Sequence, residues 1–233
     1  VVLVVLLTLG GSGDDLMNAL ERMQEEPDAG ILLAVYPVLG PVAWFWTSFF
    51  RRRFDRCSME SLGLPRVHLR RGFLGGFAVG LVAPGVITLL GLATGVYTLA
   101  QGDPFAPGEA LRTPFERLGL GSLLLFLGGF ILQSSTEELV VRGYVQRNMV
   151  EWKGPSRNLV WILIVPAVLF SLFHGFNPSY GALPAVNTVL IGVAFGAVVL
   201  GSGHIWSVCG LHSGWNFGGA CVWSLPLSGL TTR

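Results

Sequence analysis

Charge is what this chain has least of: only 12% of its 233 residues are Asp, Glu, Lys or Arg, about half the share of an average soluble domain. The net charge is +1, and the basic residues sit at the ends of apolar runs instead of forming a face. A polyanion-binding surface is excluded, and nucleic acid with it as a partner. Cysteine is scarce too. Cys57, Cys209 and Cys221 are odd in number, with no C-x-x-C pair and no metal-ligand spacing, so they read as packing residues and not as a disulfide framework or metal site. No His-Glu-x-x-His occurs, which removes zincin-like designs. No Gly-Asp lies in an apolar run, Asp103 falling in a polar connection, so a membrane aspartyl dyad is missing. Ser213, beside His212, lacks the Gly-x-Ser setting of a serine enzyme. Long polar linkers, low-complexity tracts and internal repeats are absent as well, so residues 1–233 are expected to form one membrane-embedded domain.

What fills the chain is apolar: 52% of residues are hydrophobic. A bilayer core about 30 Å thick asks for roughly 20 apolar residues per helix. Runs of that order, bounded by charges or turn residues, lie at 30–50, 73–100, 118–150, 159–176, 183–201 and 205–225. A shorter run at 1–9, in a chain that starts without methionine, reads as the tail of a helix whose beginning is missing; a signal peptide is the alternative reading, although no basic n-region is visible. The expected fold is therefore all-α, a polytopic transmembrane helix bundle of about seven to eight spans. Glycine spacings at Gly76/Gly80, Gly91/Gly95, Gly192/Gly196 and Gly214/Gly218 let membrane helices approach closely. Arginines concentrate at 51–71 and basic residues again at 147–157, on the same side of a seven-span model. The positive-inside rule makes those two loops cytoplasmic.

Ionisable side chains inside a span cost about 2.5–3.5 kcal/mol each on insertion scales, so each is a functional candidate. In the run Glu137-Glu138-Leu139-Val140-Val141-Arg142, Glu138 and Arg142 stand four apart in the favourable order for an ion pair. Glu137 lies about 100° around the helix from Glu138 and points elsewhere. A carboxylate left without a cation in a low-dielectric site suits a general base. Phe170 and His174 share one helix face, and so do His212 and Asn216. The plainer readings are an interfacial ion-pair cluster for the two glutamates and interhelical hydrogen bonding for His174, His212, Asn216 or Asn187. His204 and Trp206 read as an interface anchor. Three polar motifs in the later spans, each spaced for one helix face, are hard to explain by packing alone.

The ordered set Glu-Glu-x-x-x-Arg at 137–142, Phe-x-x-x-His at 170–174 and His-x-x-x-Asn at 212–216 resembles the CPBP family of intramembrane proteases. That family includes the type II CAAX prenyl endopeptidases and bacteriocin-processing or self-immunity proteins. Asn187, the Trp206 stretch and Leu62-Gly63-Leu64 also look similar to family positions. The likeness covers about residues 118–225, the expected catalytic core. It implies that Glu137 and His174 activate a water while His212 and Asn216 stabilise an oxyanion, with Glu138, Arg142, Phe170 and Asn187 in support. An older reading of the family treats Glu137, His174 and His212 as a zinc set; the metal-free reading is favoured, because asparagine is a poor zinc ligand but a good oxyanion donor. The expected activity is cleavage of a membrane-associated protein or peptide, lipidated or not, by an integral membrane enzyme whose other partner is membrane lipid. A non-catalytic scaffold or self-immunity protein is the alternative, and a proton-coupled transporter, which would show repeats or broken helices, is a third.

Overall fold

The computed structural model describes residues 36–96, 114–153, 158–177, 180–223 and 225, and among them all regular structure is helical. The short run at 1–9 and the polar connection holding Asp103 lie outside the described residues. In order, the elements are α1 (Tyr36–Arg53), a 3₁₀ turn (Met59–Leu62), α2 (Arg66–Ala93), α3 (Pro114–Glu138), a π-helical stretch (Leu139–Gln146), α4 (Arg147–Lys153), α5 (Leu159–Phe173), a 3₁₀ turn (His174–Phe176), α6 (Ala182–Ser202), α7 (Trp206–Phe217) and a π-helical end (Gly218–Val222).

Three helical stretches are long and apolar enough to cross a bilayer: Met59–Ala93, Gly119–Trp152 and Ala182–Ser202, with the shorter apolar helix Leu159–Phe173 beside them. In each of the three, only 17% of the apolar window is buried inside the protein. Leu74, Val79, Leu89, Leu125 and Leu190 all point outward. A water-soluble fold would hide such residues, so this is the outer surface of an integral membrane protein.

Helices α2 and α7 make the closest packing. A Cβ at Gly76 would strike the Ser207 carbonyl and one at Gly80 the Leu211 carbonyl; from the other side, Gly210 faces the Phe73 carbonyl and Gly214 that of Phe77. Both series advance together, so the two helices run parallel and touch backbone to backbone. The spacing Gly76/Gly80 and Gly214/Gly218 serves the close approach expected of it, with Gly210 completing the α7 stripe.

The turn before α2 locks onto the start of α7. Gly63 takes a left-handed φ of 79°, which favours glycine, and its carbonyl accepts the Ile205 N–H at 2.9 Å. Leu62 and Leu64 are buried on either side, in a cluster with Leu139, Phe195, Ile205, Val208 and Cys209. The Trp206 indole N–H donates to the Pro65 carbonyl at 3.0 Å. A second cluster joins Phe126 and Phe130 of α3 to Ala220 and Cys221. His212 and Asn216 are thereby held against the end of α3.

Candidate active site

The site begins where α3 turns π-helical. The wider π turn follows directly on Glu138 and carries Arg142 and Gln146 inward, both buried. Such turns commonly mark functional positions. The facing surface of α6 is cut back by glycine: Arg142 Nη2 donates to the Gly192 carbonyl at 3.2 Å and Gln146 Nε2 to the Gly196 carbonyl at 3.0 Å. The four-residue step on one helix meets the four-residue step on the other. A methyl group at Gly196 would sit 3.1 Å from the Gln146 amide, so this spacing makes room for polar side chains as well as for backbone.

Glu138 is wholly buried, and its Oε1 is shared. Arg142 Nη1 approaches it at 3.2 Å and His212 Nδ1 at 2.9 Å. A carboxylate paired with a guanidinium only accepts, so His212 Nδ1 carries the donating proton and its Nε2 is turned the other way. Nε2 lies 4.0 Å from Glu137 Oε2. Aromatic walls fix both side chains: the Arg142 guanidinium lies 4.3 Å over Phe170 and 5.5 Å from Phe195, and the His212 ring centre is 5.7 Å from Phe170 and 5.6 Å from Phe195. Breaking one partner out of such a buried ion pair costs about 3–5 kcal/mol, because the charge left behind is stranded.

Glu137 stands apart from that pair. Its Oε1 accepts the Tyr36 hydroxyl at 2.8 Å and the Gln133 amide at 3.3 Å. Its Oε2 is buried and accepts no hydrogen bond from the described residues. One oxygen is thus held by neutral donors while the other faces the open nitrogen of His212. Asn216, one turn beyond His212, is buried and donates to Ser134 Oγ at 3.5 Å, which ties it to the turn of α3 that precedes Glu138.

His174 follows the last residue of α5, and its Nδ1 is 2.8 Å from the Phe170 carbonyl. A carbonyl only accepts, so Nδ1 carries a proton, which leaves Nε2 as the ring's free position. The imidazole packs on Phe170 with ring centres 4.6 Å apart. Phe170 therefore links His174 to Arg142 and His212, although no hydrogen bond joins His174 to either glutamate among the described residues. Asn187 is exposed on the first turns of α6 and makes no polar contact with the cluster. Tyr36, Gln133 and Ser134 were not singled out from the sequence. Gln133 stands four residues before Glu137 and carried a signal; Tyr36, 101 residues away, carried none.

Zinc would require three donors converging about 2.0–2.2 Å from one point. With Nδ1 of His212 on Glu138 and Nδ1 of His174 on the Phe170 carbonyl, the donors left to such a set are the two Nε2 atoms and Glu137 Oε2, which lies 4.0 Å from His212 Nε2. Among the described residues no three His, Cys, Asp or Glu side chains gather as a ligand set.

Glutamates, an arginine, histidines and an asparagine, brought from separate helices into one apolar bundle, are the elements matched by a known family. Residues 119–218 match the family model described as type II CAAX prenyl endopeptidase Rce1-like. This segment is similar to an Rce1-like domain. The family is one of proteases, and its match runs from the start of the regular helix after Gly119 through α7, enclosing every residue of the site except Tyr36. No curated protein and no solved structure matches the chain. Outside the matched segment, α1 and α2 act on the site by packing: α1 supplies Tyr36, and α2 backs α7 through the glycine contact.

Proposed function

We propose that the protein is an intramembrane endopeptidase that cleaves a membrane-associated protein or peptide, prenylated or not, with a water activated by Glu137 and without a metal. The observation that carries this reading is the split environment of Glu137: Oε1 is fixed by Tyr36 and Gln133, while the buried Oε2 faces His212 Nε2 across 4.0 Å. A gap of that length suits a bridging water. Glu137 takes a proton from the water, with the lone pair on His174 Nε2 as the second acceptor, and the nascent hydroxide attacks the scissile carbonyl. When its second nitrogen also carries a proton, His212 presents Nε2–H to the developing oxyanion, with the Glu138 carboxylate behind it balancing the charge. The Asn216 amide is the second donor. The proton on Glu137 then passes to the leaving amine. Glu138 and Arg142 are positioning residues in this scheme, orienting His212 through Nδ1. In the same reading the chain crosses the bilayer seven or eight times, with loops 51–71 and 147–157 in the cytoplasm.

New peptide termini should appear in membranes from cells expressing the native protein and vanish with Glu137→Ala at matched levels. Identical termini in both would leave the scaffold or immunity reading. Purified native protein should carry substoichiometric zinc; one zinc per chain, lost in His174→Ala and His212→Ala, would replace the water-activation scheme.

A further inference from the structure

Away from the glutamates, α2 and the start of α7 enclose an open groove of about 430 Å³ lined by His68, Arg71, Gly72, Gly75, Gly76, His204 and Ser207. The five α2 positions recur at i, i+3, i+4, i+7 and i+8, so they form one helix stripe, cationic at its beginning and bare of side chains after it. Among the described residues no acidic side chain lines the groove.

His204 is the feature that packing does not explain. Its side chain is more than nine-tenths buried, yet Nδ1 has no hydrogen-bond partner among the described residues. A methyl group on Gly72 would lie 2.8 Å from its Cε1 and 3.4 Å from its Nδ1, so the unpartnered edge of the imidazole looks into the glycine-floored groove. The His68 ring stacks on it at 4.9 Å with planes 20° apart, and Arg71 is exposed beside them. Burial, and next the neighbouring His68, push the His204 pKa down. A buried polar edge and an exposed guanidinium, neither with a partner among the described residues, beside an open floor, are arranged for an anion to complete them.

The position within the bundle narrows the anion. The stripe opens an apolar helix behind Arg66, Arg70 and Arg71, and the exposed side chains next to it, Val67, Leu69 and Leu74, are apolar. Trp206, hydrogen-bonded to Pro65, flanks the groove, and tryptophan at the end of an apolar run marks the headgroup level. We propose that the groove between α2 and the start of α7 binds the phosphate of an anionic phospholipid, with Arg71 and the His68–His204 pair taking the headgroup and Gly72, Gly75 and Gly76 admitting it. The site is independent of the glutamate site and of any proteolytic activity.

Native mass spectrometry of the full chain in detergent, titrated with phosphatidylglycerol, tests this. The native protein should retain one phosphatidylglycerol at least tenfold more tightly than phosphatidylcholine. Arg71→Ala, at an exposed position, should weaken retention fivefold or more. Gly75→Leu should do the same by filling the groove, since a side chain there meets nothing within 4 Å. Arg52→Ala, on the exposed end of α1, should bind as the native chain does. Equal retention of both lipids, unchanged binding in Arg71→Ala and Gly75→Leu, or displacement of the lipid by millimolar inorganic phosphate with that ion bound in its place would each overturn the assignment.

Discussion

At Glu138 a single carboxylate oxygen serves an arginine and a histidine, and the two partners make separable demands. Arg142 neutralises the charge; His212 uses it for orientation. Arg142→Ala strands the carboxylate, removes the bond to Gly192 and leaves Phe170 and Phe195 facing a void. Thermal unfolding in detergent should show a loss of about 3–5 kcal/mol, enough to deplete folded protein. Glu137→Gln keeps size and can keep the contact with Tyr36, so it should leave the unfolding temperature within a few degrees while lowering peptidase turnover by about 10²- to 10⁴-fold, the range of a lost general base. Full turnover by a folded Glu137→Gln protein would remove Glu137 from the chemistry. The helical arithmetic of the sequence separates these two glutamates correctly, because an ion pair four residues apart lies within one helix. It says nothing of His212 on Glu138, of Tyr36 on Glu137 or of Ser134 on Asn216. Those partners come from other helices, and spacing within one helix carries no record of them.

Among the elements, α2 and α7 depend on absent side chains. Gly210 faces the Phe73 carbonyl so closely that a methyl group has no space, whereas Gly75, on the same contact's outer edge, has open space around it. Gly210→Ala should therefore destabilise by about 1–3 kcal/mol, as over-packing does. Gly75→Ala should cause no loss, since alanine is the better helix former. Unfolding temperatures of the two proteins, measured side by side, separate packing from helix propensity; equal values would mean that the helices part freely. The close approach was legible as a four-residue glycine repeat, but its direction was not, because the repeat is the same for parallel and antiparallel neighbours. The π-helical stretch after Glu138 was likewise hidden. Counting residues at 1.5 Å each sets Glu137 and His174 about 7 Å apart in depth, and a turn of different pitch between Glu137 and the end of α4 changes that count without any mark in the sequence.

For the whole molecule, the ends of the helices are tied on one side by Arg51. Its guanidinium, fully buried, bonds Glu151 at 2.7 and 2.9 Å, Asn148 at 2.6 Å and Ser61 at 2.7 and 2.9 Å. Glu151 holds the Arg51 pKa up, and burial opposes it. This knot joins the end of α1 and the turn after it to α4. From the sequence, the seven-span count puts the basic segments 51–71 and 147–157 on one side, and their charge assigns that side to the cytoplasm. Which face it is can be read with a residue the chain already has. Cys57 lies in the arginine-rich loop and is partly exposed, while Cys209 and Cys221 are buried. A membrane-impermeant maleimide should therefore label the native protein once, in inside-out vesicles and not in right-side-out ones, and Cys57→Ser should abolish the signal. Labelling only from the outer face would invert the orientation and carry the whole knot with it, since Cys57 is bonded through its N–H to the Arg51 carbonyl and cannot sit on the side opposite the guanidinium network.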